Sequence, residues 1–242
     1  MTPPSGVLTV EHRADRPAPG PAPGSTPGSP PRANTVIAGW GGGAAATTVG
    51  AAHVAGAGVV DPVADPVSFY AFVPGGALLV LVACLTLGLL GVVLVARGYT
   101  AGLLAGVVPV AAIGIFLVSM VLVGLFPTDP PGTASATTSA VVHRAGAATA
   151  FCVLPLVGLA STAGPRGRCE TVEPLRRAGA ALLSVVLVFL AIHLPLVALG
   201  SGIVAFGLLE RVGLVLMTAY LALLAVQVDR AVSAGPPAGP AA

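Results

Sequence analysis

The chain has 242 residues, of which 55% are hydrophobic and only 8% are charged. A soluble domain carries about 25% charged residues and could not bury so much apolar surface, so this composition excludes an ordinary soluble protein and predicts a membrane protein. The formal net charge of +2 is too small to indicate a nucleic-acid-binding protein.

The N-terminal segment, residues 1–34, is rich in Pro, Gly and Ser. A segment with so little apolar surface cannot offset its ordering entropy, so it predicts a disordered tail, and we expect a second one over 231–242. No apolar segment follows closely on a basic stretch here. A secretory signal peptide is therefore not expected.

Residues 35–230 contain six segments that are long enough to cross a bilayer. At ~1.5 Å per residue, a helix of about 22 to 26 residues spans a hydrocarbon core of ~30 Å. The first segment is the weakest, because Ala and Gly contribute little to insertion. The sequence therefore predicts an all-α, polytopic transmembrane bundle of six helices. The predicted helices are 35–60, 74–96, 101–125, 139–161, 178–199 and 203–228.

The positions of the basic residues, all of them arginine, predict the orientation of this bundle. If both termini are cytoplasmic, nine of the 11 arginines lie on the inner side, as the positive-inside rule requires. The other two, Arg144 and Arg211, each follow another ionisable residue near an outer helix end. The nine inner arginines are Arg13, Arg16, Arg32, Arg97, Arg166, Arg168, Arg176, Arg177 and Arg230.

In this orientation, nearly every ionisable group that a helix could bury lies toward the outer side. Such groups usually face the interior of a bundle and have partners, which predicts a polar cluster that opens outward. The alternative is that solvent, lipid headgroups or a neighbouring residue satisfies each group separately. The predicted cluster comprises Asp65, Ser68, Asp129, His143, Arg144, Glu210 and Arg211. Two weaker candidates, His53 and His193, favour structural hydrogen bonds between helices over ligand roles.

The loop from Phe126 to Gly132 is the centre of this cluster in the sequence. Pro127 disfavours helix at the residue before it, and the Asp129 side chain can accept hydrogen bonds from backbone amides ahead of it. These features are typical of a loop that ends a helix. A functional alternative pairs Asp129 with His143 as an acid and a base, or uses Arg144 in an anion site.

Three motifs in this chain resemble those of a known family. They are Asp65-Pro66-Val67-Ser68, Phe126-Pro127-Thr128-Asp129-Pro130 followed by His143-Arg144, and Gly207-Leu208-Leu209-Glu210-Arg211. Over about residues 40–230 the chain resembles the bacterial and archaeal six-helix integral membrane proteins grouped as domain of unknown function 998. The resemblance implies a fold and a membrane location, but no activity.

The simplest interpretation, which needs no feature beyond those already described, is a non-enzymatic integral membrane protein whose outer cluster binds a lipid headgroup or a partner. Membrane lipids are the expected partners, with a second copy of the chain or another membrane protein as alternatives. No catalytic residue, cofactor or metal site is predicted. The arginine, alanine and glycine bias is typical of high-GC bacterial genes, so we expect the plasma membrane of an actinobacterium.

Two other function classes are kept as alternatives. Prolines within helices, at Pro109, Pro155 and Pro195, are compatible with the broken helices of a small-solute transporter. Histidines at similar depth on three helices are compatible with a metal-dependent intramembrane lipid hydrolase, in which His53, His143 and His193 would bind zinc. The three cysteines, Cys84 and Cys152 in helices and Cys169 in an inner loop, predict reduced thiols.

Overall fold

The computed structural model describes residues 32–130, 133, 135–161, 169–199 and 203–234. In this part of the chain the fold is all-α and contains no strand. The predicted tails over 1–34 and 231–242 lie mostly outside the described residues. The helices are α1 (Ala33–Ala55), a 3-10 helix (Val67–Phe72), α2 (Gly76–Thr100), α3 (Val107–Leu125), α4 (Thr138–Val153), α5 (Leu156–Leu159), α6 (Cys169–Ala198) and α7 (Phe206–Ser233).

By length and composition, 5 helical segments of the described chain can cross a membrane. They indicate a membrane-embedded protein, because each presents enough apolar side chains to match the hydrocarbon core. The segments are Gly76–Thr100, Val107–Leu125, Thr138–Leu159, Val172–Leu196 and Phe206–Ser233. Helix α1, with 23 residues, is long enough but too rich in Ala, Gly and Thr to be among them.

The helices pack in chain order, and α7 returns to contact α1 and α2. Large side chains from four helices and from the α4–α5 junction fill the centre. In lipid the hydrophobic effect does not drive helices together, so close packing between these side chains holds the centre. Fully buried members of this core are Leu94, Phe116, Leu154, Leu175, Met217, Leu221 and Leu224. The return of α7 brings residues that are almost 200 positions apart in sequence into contact.

Several helix boundaries differ from the sequence expectation. Helix α1 ends at Ala55 rather than at 60, and α3 begins at Val107 rather than at 101. The connection before α3 contains Gly102 (φ 72°) and Gly106 (φ 82°). Glycine adopts this left-handed backbone at low cost, so the chain turns where apolar composition alone predicted helix.

The fourth and fifth predicted helices differ in another way. Pro155 separates α4 from α5, because it has no N–H to continue the helical hydrogen bonds. Helix α6 begins at Cys169 rather than at 178, so the expected inner loop is shorter. Arg177 therefore lies on a helix, where its Nε donates to Glu173 Oε1 over 2.8 Å.

Helix α1 has few large apolar side chains and instead approaches its neighbours closely. A Cβ added at Gly41 would lie 3.0 Å from the Leu90 side chain of α2, and one at Gly42 would lie 3.1 Å from Thr218 of α7. Small residues permit this approach, which replaces side-chain interdigitation with contact near the backbone. Polar contacts at the two ends of α1 supplement this packing.

Candidate functional site

The Arg211 guanidinium is the centre of a polar group at the C-terminal end of α1. Its Nε donates to His53 Nε2 over 2.9 Å, and its Nη2 donates to the Tyr70 hydroxyl over 3.0 Å. Its Nη1 donates to the carbonyl oxygens of Asp65, over 2.9 Å, and Gly207, over 2.8 Å. We call His53, Asp65, Tyr70, Glu210 and Arg211 the Arg211 cluster.

The connection between α1 and α2 lies directly against the start of α7. Glu210 Oε2 accepts from the Val67 N–H over 2.6 Å, and the Leu208 N–H donates to the Val63 carbonyl over 3.0 Å. At Gly207 a Cβ would collide with the Asp65 carbonyl. Glycine at this position is therefore what permits Arg211 to reach the connection.

The protonation state of His53 follows from its two partners. Its Nδ1 lies 2.9 Å from the Val49 carbonyl, which can only accept, so Nδ1 carries the proton. Its Nε2 lies opposite the Arg211 Nε–H, which can only donate, so Nε2 carries the lone pair. His53 is thus a neutral imidazole that links α1 to α7.

His143 has a different role, at the junction of α3 and α4. Its Nδ1 lies 3.1 Å from the Val123 carbonyl and 2.8 Å from the Phe126 carbonyl, so it donates to the last turn of α3. These carbonyls have no partner within their own helix, and a side-chain donor satisfies them. His143 therefore caps α3 rather than pairing with Asp129.

Asp129 joins the same loop to the start of α4. Its Oδ1 accepts from the Thr137 hydroxyl over 2.6 Å, and its Oδ2 accepts from the Thr137 N–H over 3.1 Å. Thr137 is in turn the N-cap of α4, accepting from the Ala140 N–H over 3.2 Å. The hydrogen bond from the Thr137 hydroxyl is the main reason that the pKa of Asp129 lies below its ordinary value.

Arg144 is the exposed cation beside this loop. Its Nη2 lies 4.0 Å from Asp129 Oδ2, and its side chain is 60% exposed. A single ion pair at that distance and exposure contributes little to stability, on the order of 0–1 kcal/mol. The guanidinium of Arg144 is therefore accessible to another anion.

Ser68 and His143 line one small cavity between the 3-10 helix and the α3–α4 junction. Its volume is about 70 Å³, and the remaining lining residues are mostly apolar. Since the Nδ1 of His143 is the donor to α3, its Nε2 is the acceptor. A space of this size can hold water. Its lining includes residues of both the α3–α4 junction and the Asp65–Ser68 motif.

The three membrane histidines have separate environments. His193 stacks on Phe189, with ring centroids 5.2 Å apart, and lies at a tilt against Phe206, with centroids 4.9 Å apart. No group of three or more His, Cys, Asp or Glu side chains that could hold a metal ion occurs among the described residues. The zinc site considered from the sequence is not formed by His53, His143 and His193, because each imidazole has a different set of neighbours.

Comparison with known families identifies the chain. A family model described as "Protein of unknown function (DUF998)" matches residues 40–227, which is more than half of the 242 residues. The chain belongs to the DUF998 family. No curated protein matches the chain, and no solved structure matches it. The DUF998 match includes the Arg211 cluster and the α3–α4 loop, and it confirms the resemblance found in the sequence motifs.

A second polar group lies at the opposite end of α1 and was not expected from the sequence of this DUF998 protein. Asp229 of α7 accepts from the N–H groups of Asn34, over 3.1 Å, and Thr35, over 2.8 Å. It also accepts from their side chains, and Arg97 Nη1 donates to Asn34 Oδ1 over 3.2 Å. We call these four residues the Asp229 cluster. The sequence feature that could have indicated this polar group is Asp229, an acidic residue near the end of an apolar helix.

Proposed function

We propose that this DUF998 protein is a non-enzymatic, six-span protein of a bacterial plasma membrane that binds an anionic lipid headgroup on its extracytoplasmic face. Membrane lipids are the partners in this proposal, and α1 crosses the membrane in addition to the 5 candidate spans named above. The observation that carries it is the exposed guanidinium of Arg144 beside a loop in which Asp129 bonds to Thr137 and His143 bonds to the end of α3.

The proposed topology has both termini in the cytoplasm. The contact between Asn34 and Asp229 supports it, because the first residues of α1 and the last residues of α7 then lie at the same end, as an even number of crossings requires. Arg97 and Arg230 belong to this same end. By the positive-inside rule that end is the cytoplasmic one, and the Arg211 cluster and the α3–α4 loop face outward.

Reporter fusions test the topology. Fusions within 62–70 and 128–138 are expected to report an extracytoplasmic location, and fusions within 166–175 a cytoplasmic one. A cytoplasmic signal from 128–138 would remove the basis for headgroup binding at Arg144. A cytoplasmic signal from 62–70 would show that α1 does not cross.

Arg211 and Arg144 differ in how many of their N–H donors have partners within the protein, and this difference supports headgroup binding at Arg144. The donors of Arg211 are directed to acceptors within the protein, whereas Arg144 has one carboxylate at 4.0 Å and a mostly exposed side chain. A guanidinium near a membrane surface attracts an anionic lipid by ~1 kcal/mol. It also presents a planar set of donors that matches phosphate oxygens.

The binding test uses the purified full-length protein with phosphatidylglycerol, and with phosphatidylcholine as the uncharged comparison. Arg144→Gln is expected to weaken phosphatidylglycerol binding about fivefold, while Arg144→Lys, which keeps the charge but not the planar donors, is expected to weaken it less. Arg177→Gln is the matched control for an exposed arginine at the other end. Unchanged binding by Arg144→Gln, measured by native mass spectrometry, would refute the proposal.

Two local observations favour binding over transport. Pro109 lies in the first turn of α3, where proline does not interrupt hydrogen bonds. At the break near Pro155, the carbonyl of that proline accepts from the Tyr220 hydroxyl over 3.4 Å. A transport site needs interrupted backbone groups that point toward the solute. Here the carbonyl at the interruption is instead bonded within the protein.

A further inference from the structure

The contact between His53 and Arg211 depends on the imidazole being neutral. The Arg211 Nε–H needs an acceptor, and the His53 Nε2 lone pair supplies it at 2.9 Å. Protonation of His53 would occupy that lone pair, so two N–H donors and two positive charges would face each other. A hydrogen-bonding attraction would become a repulsion.

The acceptors next to His53 on α1 and in Tyr70 each already accept a hydrogen bond. On its own helix, the Val49 carbonyl already accepts from Nδ1. The Tyr70 ring lies against the imidazole with centroids 4.6 Å apart, and the Tyr70 hydroxyl accepts from Arg211. The remaining faces belong to α7, to the α1–α2 connection and to α2.

The acids on those faces have backbone partners. Glu210 of α7 accepts from the Val67 N–H over 2.6 Å. In the connection, Asp65 Oδ2 accepts from the Asp61 N–H over 2.8 Å, and Asp61 Oδ1 accepts from the Val63 N–H over 2.8 Å. Helix α2 contributes the Cys84 thiol, and its other ionisable groups, Arg97 and Tyr99, lie in its last turn at the opposite end.

We propose that His53 is a pH-responsive latch between α1 and α7. In its neutral form it holds the C-terminal end of α1 to Arg211, and its protonation releases that end of α1. Because Nε2 must keep its lone pair to accept from Arg211, acid on that side of the membrane weakens the contact and neutral conditions restore it. The latch requires no lipid ligand and is independent of headgroup binding at Arg144.

The inner end of α1 remains fixed in the released state. The Asp229 carboxylate binds the N–H groups of Asn34 and Thr35, and it needs no histidine to do so. Release is therefore expected over the last turns of α1, close to His53, and in the connection up to Val67. The first turns of α1 are an internal reference for an intact fold.

Amide hydrogen exchange of the full-length protein in lipid nanodiscs tests the latch. Between about pH 8 and about pH 5, with rates corrected for intrinsic exchange, protection of the last two turns of α1 is expected to fall about tenfold, the effect of losing one hydrogen bond to a charged group. Protection of the first two turns is expected to stay constant. Equal protection of the last turns at both pH values would overturn the proposal.

Two substitutions at position 53 test whether His53, rather than a neighbouring acid, causes the pH response. His53→Gln keeps an amide oxygen for Arg211 and an N–H for Val49 but cannot titrate, so its last turns are expected to stay protected at both pH values. His53→Leu removes the acceptor and is expected to give low protection at both. If His53→Gln showed the same pH response as the unsubstituted chain, another group would be the titrating one and the latch would be refuted.

Discussion

The Asp229 cluster and the Arg211 cluster hold the same two helices together, but they place charge differently. At one end of α1 an anion, Asp229, binds two backbone N–H groups of the first turn. At the other end a cation, Arg211, binds two neutral side chains and two carbonyls. The first arrangement places negative charge on the positive end of the helix dipole, which is favourable by itself. The second depends on a histidine lone pair.

This difference predicts different sensitivities at the two ends of α1. The Asp229 carboxylate only accepts hydrogen bonds, whereas the His53 contact is lost if a proton occupies the Nε2 lone pair. Both clusters are needed because α1 has glycine and alanine where other spans have large apolar residues. Polar contacts at its ends therefore carry more of its attachment than they do in a leucine-rich helix.

Removal of the Asp229 carboxylate is expected to have the largest effect. Asp229→Ala would leave two N–H groups of α1 and the buried Asn34 amide without their acceptor, at a cost of about 3 kcal/mol. Thermal unfolding in detergent would show the loss, and hydrogen exchange would locate it in the first turns of α1. Asp229→Asn, which keeps one acceptor oxygen, should lose about half as much. Unfolding of Asp229→Ala at the unsubstituted temperature would contradict the role given to this cluster.

A smaller effect is expected from filling the space at Gly207. In Gly207→Ala the new methyl group would collide with the Asp65 carbonyl, so the connection must move away from α7 and Arg211 would lose part of its contacts. We expect a loss of about 1–3 kcal/mol, as for other overpacked sites. Gly114→Ala in α3 is the control, since nothing lies within 4 Å of its Cβ position. It should be neutral or stabilising by up to about 1 kcal/mol. Equal stability of the two variants would show that the close approach at Gly207 is unimportant.

The sequence predicts those features of the fold that depend on composition and short motifs. Apolar segments located the strong spans, and Phe126-Pro127 correctly placed the end of α3. The boundaries at 101 and 178 were less accurate, because backbone φ at Gly102 and Gly106 and the helical start of α6 are not visible in hydropathy. A hydropathy window records how apolar a segment is, not where its backbone turns.

Tertiary pairing was the part that the sequence could not supply. The sequence predicted one polar cluster, whereas Asp65, Glu210 and Arg211 lie at the α1–α2 connection and the other charged members lie at the α3–α4 loop. Neither the Tyr70 contact with Arg211 nor the capping of α3 by His143 was predicted. The Asn34 and Asp229 pair is separated by 195 positions and carries no local motif. Contacts of this kind follow from the return of α7 to α1, which only the assembled bundle shows.

The smallest expected effect comes from protonation of Asp129. Its carboxylate lies beside the start of α4, at the same end of the bundle as His53. Hydrogen bonds from Thr137 hold its pKa below the ordinary value, so its contribution is complete above about pH 3.9 and is lost as pH falls through the lower pKa of the folded state. Exchange in the first turn of α4 should therefore be constant between about pH 8 and 5, the range over which the proposed latch is tested, and should rise only in stronger acid. Asp129→Asn should abolish that acid response and leave the response near His53 unchanged. A neutral-range change at α4 would mean that a shared opening of this end of the bundle, rather than the imidazole of His53, causes the pH dependence.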